Sequence, residues 1–313
     1  MISRRLIRIK AFKCLFAYEG SGSDNVAVAE KELIHSCEKV RDLYYFLLKI
    51  SSSIVEVASE RIATGLRKFH PTEQEANPNM KFVNNRFVKM LEDDPEFGRY
   101  CQKKGLVWAE YDAFVKRVYN SMVTKDYYIN YMNSGKDSFE EDCDLVSCIF
   151  QDEFEDNGEL LSILEDISIH WIDDVAYVLN AIIAGIETSK RRHTVFHPDL
   201  FQKEEDKEYA IRLLDEAIIH YDEIKEYVAS KLSNWEVERL VPADTTLIVL
   251  GIAEASNFPT IPVKVTINEF VEISKYYSTP NSRVFVNGML DMAIQEKLAS
   301  GEIVKRGRGL LDH

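Results

Sequence analysis

Helical periodicity runs through the whole chain. Apolar residues recur at three- and four-residue intervals, and no strand–turn–strand series with period-two alternation appears. Only 13 Gly and 8 Pro punctuate the 313 residues, so long helices meet few breakers. An all-α fold is the expectation. The stretches HPTEQEANPNMK, MNSGKDSFEEDCD and RRHTVFHPDLFQKEEDKE interrupt the pattern and read as loops, near residues 70–80, 133–143 and 191–206. Tandem repeats and low-complexity segments are absent. The longest apolar runs, such as TLIVLGIA, are far short of a membrane span, so no membrane association is expected.

Charge is unevenly spread. From Asp137 to Glu187 there are 15 acidic residues and no Lys or Arg, so that window carries −15 of a net −14 and the rest sums to +1. The overall sign therefore does not exclude nucleic acid, because local clusters can still be basic. Arg4, Arg5, Arg8, Lys10 and Lys13 lie between Ser3 and Lys13 with no acid among them, and SKRRH at Ser189 and KRGR at Lys305 are further basic spots. The five cysteines form no CxxC pair, which fits reduced thiols in a cytoplasmic protein rather than a structural zinc site.

Near the start, Ser3 can cap a helix whose apolar stripe is Leu6, Ile9, Phe12 and Phe16. Arg4, Arg5 and Arg8 then share one flank by their i,i+3 and i,i+4 spacing. Cations in a first turn oppose the helix macrodipole at about 0.3–1 kcal/mol each. A polyanion bound there would offset that penalty, and the bland alternative is a solvated basic face. All three guanidiniums are read as exposed, so that replacing them should barely change stability.

The last hundred residues are richer in pattern. A helix from about Ala243 to Ser256 is apolar nearly all round and should be buried centrally, with Glu254 its only charge past the first turn. Thr266 and Glu269 fit a capping box, with Ile267, Phe270, Val271, Ser274 and Tyr277 on one face. In STPNSRVFVNGMLDMAIQEKL, Thr279 can cap and Pro280 suits the first helical position, with Phe285, Met289, Met292 and Ala293 toward a core. Asn281, Ser282, Arg283, Asn287 and Gly288 crowd the first turns, where better helix formers are available.

The segments SRRLIRIKAFKCLFAYE, NWEVERL…LIVLGIAEAS, IPVKVTINEFVEISKYYS and NSRVFVNGMLD together resemble the NusB transcription antitermination factor family. The likeness covers about the first 50 residues and roughly 206–298, and the intervening segment looks like a helical insertion. It implies two small helical subdomains, divided here as 1–58, an acidic helical insertion at 59–205, and 206–313. It also implies a non-enzymatic protein without cofactor or metal that binds boxA-type single-stranded RNA of ribosomal RNA leaders. Its partners would be NusE, a small-subunit ribosomal protein, and the RNA polymerase antitermination complex. Arg4, Arg5 and Arg8 would form the arginine-rich RNA motif, with Asn281, Ser282, Phe285 and Asn287 beside it as exposed donors at a helix start. Phe16 and Asp244 would face NusE, and Glu254 keeps the family's buried glutamate.

The chain departs from the family pattern at several of these positions. Asn281 stands where an acidic residue is usual, Ile9 and Lys10 replace an Arg-Glu pair, Val249 replaces an arginine, and Phe16 lacks the common tyrosine hydroxyl. Asn268 and Asn287 can also be structural, bonding loop backbone, and Glu254 can be a capping or salt-bridge residue.

Catalytic patterns are thin. Glu32 and His35 make a single ExxH, Asp166 and His170 lack a third ligand, and no P-loop, GxGxxG or GxSxG occurs. A ribosomal RNA methyltransferase, which can carry a similar leading domain, needs a glycine-rich cofactor loop and a Pro-Cys, so that alternative is disfavoured. Within the insertion, Trp108, Tyr111, Phe114, Val118 and Met122 form one helical stripe, and ELLSILEDISIHWIDDVAYVLNAIIAGI forms another long enough to pack on it. The acidic block can steer a basic partner or be only solvated surface. The competing class is a protein–protein scaffold that has lost RNA binding.

Overall fold

A computed structural model of the chain describes residues 1–22, 24–232 and 241–310; the NWEVERL segment lies outside the described residues. Among the described residues every regular element is a helix, apart from a one-residue bridge between Ile2 and Phe201. The chain divides into two compact units, Glu38–Asp199 with Met1, and Ile2–Cys37 with Leu200–His313.

Helix α1 (Arg4–Ser21) starts where the Ser3 hydroxyl accepts the Leu6 N–H, as its sequence predicts, and ends at Gly22 in the left-handed region. Its buried face differs from the expected stripe. Leu6, Ile7, Ala11, Phe12 and Leu15 are buried, whereas Ile9 is half-buried and Phe16 is 44% exposed. Helix α2 (Val26–Leu66) runs for 41 residues without a break and supplies residues to both units.

The unit of residues 38–199 holds the rest of α2, α3 (Glu73–Ala76), α4 (Arg86–Asp93), α5 (Pro95–Lys104), α6 (Asp112–Met122), α7 (Asp126–Asn133), α8 (Phe139–Phe154), α9 (Gly158–Ile167) and α10 (Val175–Arg192). Helix α8 packs against α4, α6, α7 and α10. Phe46 of α2 stacks on Trp108 and Trp171 at 4.3 and 5.2 Å, and both indoles donate to α2 carbonyls. The second long stripe is not one helix. It breaks between Ile167 and Val175 because Trp171, 2% exposed, must turn inward to reach the Lys39 carbonyl.

The other unit completes itself with α11 (Glu205–Ile219), α12 (Tyr221–Ser230), α13 (Pro242–Asn257), α14 (Val263–Tyr277) and α15 (Ser282–Ala299). Helix α13 is the centre expected from its all-round apolar sequence: α1, α11, α12, α14 and α15 all pack on it. At Gly251 a Cβ would stand 2.5 Å from Leu290 Cδ2, so glycine lets α13 and α15 approach closely.

Two helix starts differ from expectation. Helix α14 begins at Val263, ahead of the supposed capping box, because Thr266 and Glu269 bond to groups on other helices instead. Helix α15 begins at Ser282 after a turn, with Asn281 rather than Thr279 at the cap position. Its inward face is Ser282, Val286, Met289, Leu290, Ala293 and Ile294, and Phe285 is only half-buried.

Candidate nucleic-acid interface

The three arginines of α1 diverge toward three different helices. Arg4 Nε donates to Asp206 at 2.8 Å and its Nη2 lies 3.2 Å from Glu205, both on α11. Arg5 makes a bidentate pair with Glu269 of α14, at 2.8 and 2.7 Å. Arg8 Nε donates to Glu254 of α13 at 2.7 Å, and its Nη1 lies 3.7 Å from Glu269. Arg4 and Arg8 both sit over the Tyr209 ring, 4.9 and 5.8 Å from its centroid. Carboxylates of neighbouring helices therefore supply the negative charge that the first turn of α1 needs.

This corrects the expectation of three exposed guanidiniums. Arg5 keeps 57% of its side chain exposed and Arg4 35%, but Arg8 keeps 4%. Arg8 is enclosed because position 8 lies one turn above Arg4, where α1 meets α13 and α14. Around it, Glu254 accepts from the Tyr209 hydroxyl and, at 2.6 Å, from Thr266 Oγ1. Burial alone would lower the Arg8 guanidinium, yet the Glu254 carboxylate outweighs it and holds the pKa above its ordinary value. Burial and then Glu254 push the Tyr209 hydroxyl far upward. Glu254 is thus the salt-bridge residue of the bland reading.

Beside α14 the surface is more open. The hydrogen bond from Arg5 holds Glu269 below the ordinary carboxylate range. Glu272 is lowered first by its hydrogen bond from Lys275, and the charges of Arg5 and Arg283 act in the same direction. Asn281, Arg283 and Asn287 are exposed. The Asn268, Asn281 and Asn287 side chains make no hydrogen bond to the described residues, so the loop-bonding role considered for Asn268 and Asn287 is not seen. Tyr276, one turn beyond Glu272, is 80% exposed.

Ser282 and Asp244 are not surface groups. Asp244 is 3% exposed and accepts from the Ser278 and Ser282 hydroxyls at 2.5 and 2.7 Å. Ser282, 2% exposed, also accepts the Thr279 N–H. These bonds join the starts of α13 and α15. They correct the reading of Ser282 as an exposed donor and of Asp244 as a charge facing a partner; reversing the Asp244 charge would strike the fold first. Phe16 is open, 6.1 Å from Phe12, whose ring lies 5.5 Å from Tyr277.

The sequence reading missed Asp206, Tyr209 and Glu269 as partners of the arginines. For Glu269 a signal existed, since it ends the string P-x-K-V-x-I-N-E; for Asp206 and Tyr209 nothing local pointed to α1. Among the described residues, no group of three or more His, Cys, Asp or Glu side chains can hold a metal. All five cysteines are free, and burial pushes Cys14 and Cys143 up to about 12 and Cys101 to about 11, which leaves no activated thiol among those three. No described helix is long and apolar enough to cross a membrane.

The sequence profile of the NusB family matches residues 176–295. The transcription antitermination protein NusB of Salinibacter ruber is 32% identical over 119 residues, 38% of this chain and 74% of that protein. Its counterpart in Chloroherpeton thalassium is 38% identical over 106 residues, 34% of this chain and 50% of that protein. The one in Methylacidiphilum infernorum is 42% identical over 93 residues, 30% of this chain and 65% of that protein. This chain thus spans between half and three quarters of these relatives. No solved structure matches it. Helix α1 lies before the matched residues, but Glu205, Asp206, Glu254 and Glu269, which grip its arginines, all lie within them. With an all-α fold and three quarters of one relative covered at 32% identity, the chain belongs to the NusB family.

Proposed function

We propose that the chain is a non-enzymatic transcription antitermination factor that binds boxA-type single-stranded RNA, acting with NusE in an RNA polymerase antitermination complex. The observation that carries this reading is the anchoring of α1: Arg8 is locked into the core, while Arg5 on the same helix keeps more than half of its side chain exposed in its pair with Glu269 of α14, and Asn281, Arg283 and Asn287 at the start of α15 are exposed as well. Phosphate would meet Arg5 and Arg283, and unpaired base edges would meet the asparagines and the half-buried Phe285. In this division of labour Arg4 and Arg5 are contacts, whereas Arg8, Ser282 and Asp244 are positioning residues. Phe16 offers NusE an exposed aromatic.

One observation favours the second reading, a scaffold that has lost RNA binding: each α1 arginine already has a carboxylate partner. RNA must then compete with Glu269 for Arg5. Titration of the full chain with a fluorescent boxA-like strand, with and without NusE, separates the two. Binding that weakens in Arg5→Ala, and strengthens when NusE is added, supports the RNA reading. An Arg5→Ala protein that binds as the parent does, with the same salt dependence, leaves the scaffold.

A further inference from the structure

We infer that a cleft beside α1 is a second nucleotide subsite, taking one phosphate and one base of a strand that continues past Arg4. The inference rests on the RNA-binding reading above and extends it to the basic KRGR segment. The cleft has a volume of about 530 Å³. Arg4, Lys203, Arg212 and Arg308 line it against Glu205 and Glu208, a surplus of two positive charges in a chain of net −14. Thr260 and two aromatics, Tyr209 and Phe258, edge to face at 4.9 Å, complete the lining.

Two of these cations are weakly held. Arg308 is exposed and has no hydrogen bond or ion pair with the described residues. The Arg212 guanidinium lies 5.3 Å from the Phe258 centroid, and its carboxylate neighbour Glu216 is 3.9 Å away. An arginine over an aromatic ring beside a second, unengaged arginine is a place for a base to stack and a phosphate to be neutralised. Concavity and an aromatic wall suit a nucleotide better than the flat, wet rim of a protein contact.

The segment that carries Arg308 is built to stay there. The Arg306 N–H donates to the Pro259 carbonyl at 3.0 Å, and Lys305 Nζ donates to the Phe258 carbonyl at 3.2 Å. Gly309 is buried, and a Cβ on it would stand 2.2 Å from the Pro259 oxygen, so only glycine fits. The clamp holds the turn that carries Arg308 against the loop that carries Phe258, which removes much of the ordering cost of a basic tail. The Arg306–Gly309 side of the clamp lies outside the residues that match the family profile, whereas Phe258 and Pro259 lie within them.

The test compares a boxA-like strand of about eight nucleotides with the same strand extended by about six, using the full chain, and adds AMP and poly-glutamate as further probes. The double variant Arg212→Ala, Arg308→Ala should bind the short strand as the parent does. For the extended strand it should bind more weakly and flatten the slope of log K against log salt by about 1.4. Gly309→Ala should reproduce the part due to Arg308, and Phe258→Leu should weaken the extended strand by roughly 5- to 150-fold. Both arginines are exposed, so the double variant folds whatever Phe258→Leu does to packing. If the parent binds the short strand and the double variant matches it on both, the subsite is overturned while the RNA reading stands. If the parent binds neither strand, both fall. Loss of AMP binding alone would make it a free-nucleotide site, and loss of poly-glutamate binding alone a protein site; either result overturns the continuing strand.

Discussion

Two buried carboxylates, one in each unit, each pair with a tyrosine hydroxyl and an arginine, in different surroundings. Glu254 is wholly buried and accepts from Tyr209, Thr266 and an Arg8 that is itself enclosed. Asp142 accepts from the Tyr131 hydroxyl at 2.7 Å and lies 3.1 Å from Arg86, whose side chain is 43% exposed. Arg8 and Glu254 are 246 residues apart, whereas Arg86 and Asp142 are 56 apart. A dry ion pair gains much from its partner and loses much without it; a half-solvated one leaves water as the substitute. The first is a lock on the fold, and the second a local staple.

The largest expected effect follows from that contrast. Arg8→Ala leaves Glu254 charged and buried, and should cost about 3–5 kcal/mol in denaturant unfolding. Arg86→Ala should cost no more than about 1 kcal/mol. Equal losses would mean that solvent exposure does not separate the two sites. Next comes the hydroxyl partner. Tyr209→Phe removes one donor from a wholly enclosed carboxylate and should cost about 1–3 kcal/mol, more than Tyr131→Phe, whose Asp142 keeps the Arg86 N–H at 3.1 Å.

A smaller effect separates Arg5 from Arg8 on the same helix. Arg5→Ala should leave stability within about 1 kcal/mol of the parent, because its pair with Glu269 is open to water. It should flatten the RNA salt slope by about 0.7, one phosphate on a single strand. Glu269→Gln should move binding the other way, tightening it by releasing Arg5. Tighter binding from Glu269→Gln with no effect of Arg5→Ala would break that link.

The smallest expected effect is on pH dependence. The folded-state pKa of Glu269 lies below its unfolded value, so its pair with Arg5 stabilises the fold above the ordinary carboxylate range. That contribution is lost as pH falls through the lowered value. The stability difference between the parent and Glu269→Gln should therefore shrink on acidification. A difference that grows instead would reverse the assignment.

Much of the fold was legible in local pattern. Ser3 caps α1 because a hydroxyl there meets the free N–H of Leu6, and α13 is central because its apolar residues circle the helix. Pattern misplaced Phe16 and Ile9, because a narrow i,i+3/i+4 stripe does not show how many helices surround α1. It likewise took Thr266 and Glu269 as a capping box, a spacing that also serves two long-range bonds.

What the sequence by itself determined is therefore the helical class, the central helix and the presence of an arginine cluster at a helix start. Each depends on neighbours within a turn or two, where spacing and geometry are the same thing. Which arginine is enclosed and which stays open to water was decided only in the tertiary structure. Arg5 and Arg8 are chemically identical and three residues apart. One faces an open edge of α14, and the other a closed junction with a glutamate 246 positions away. Burial sets whether a charge is screened by water or must be matched by a partner, and burial belongs to the packing of distant segments.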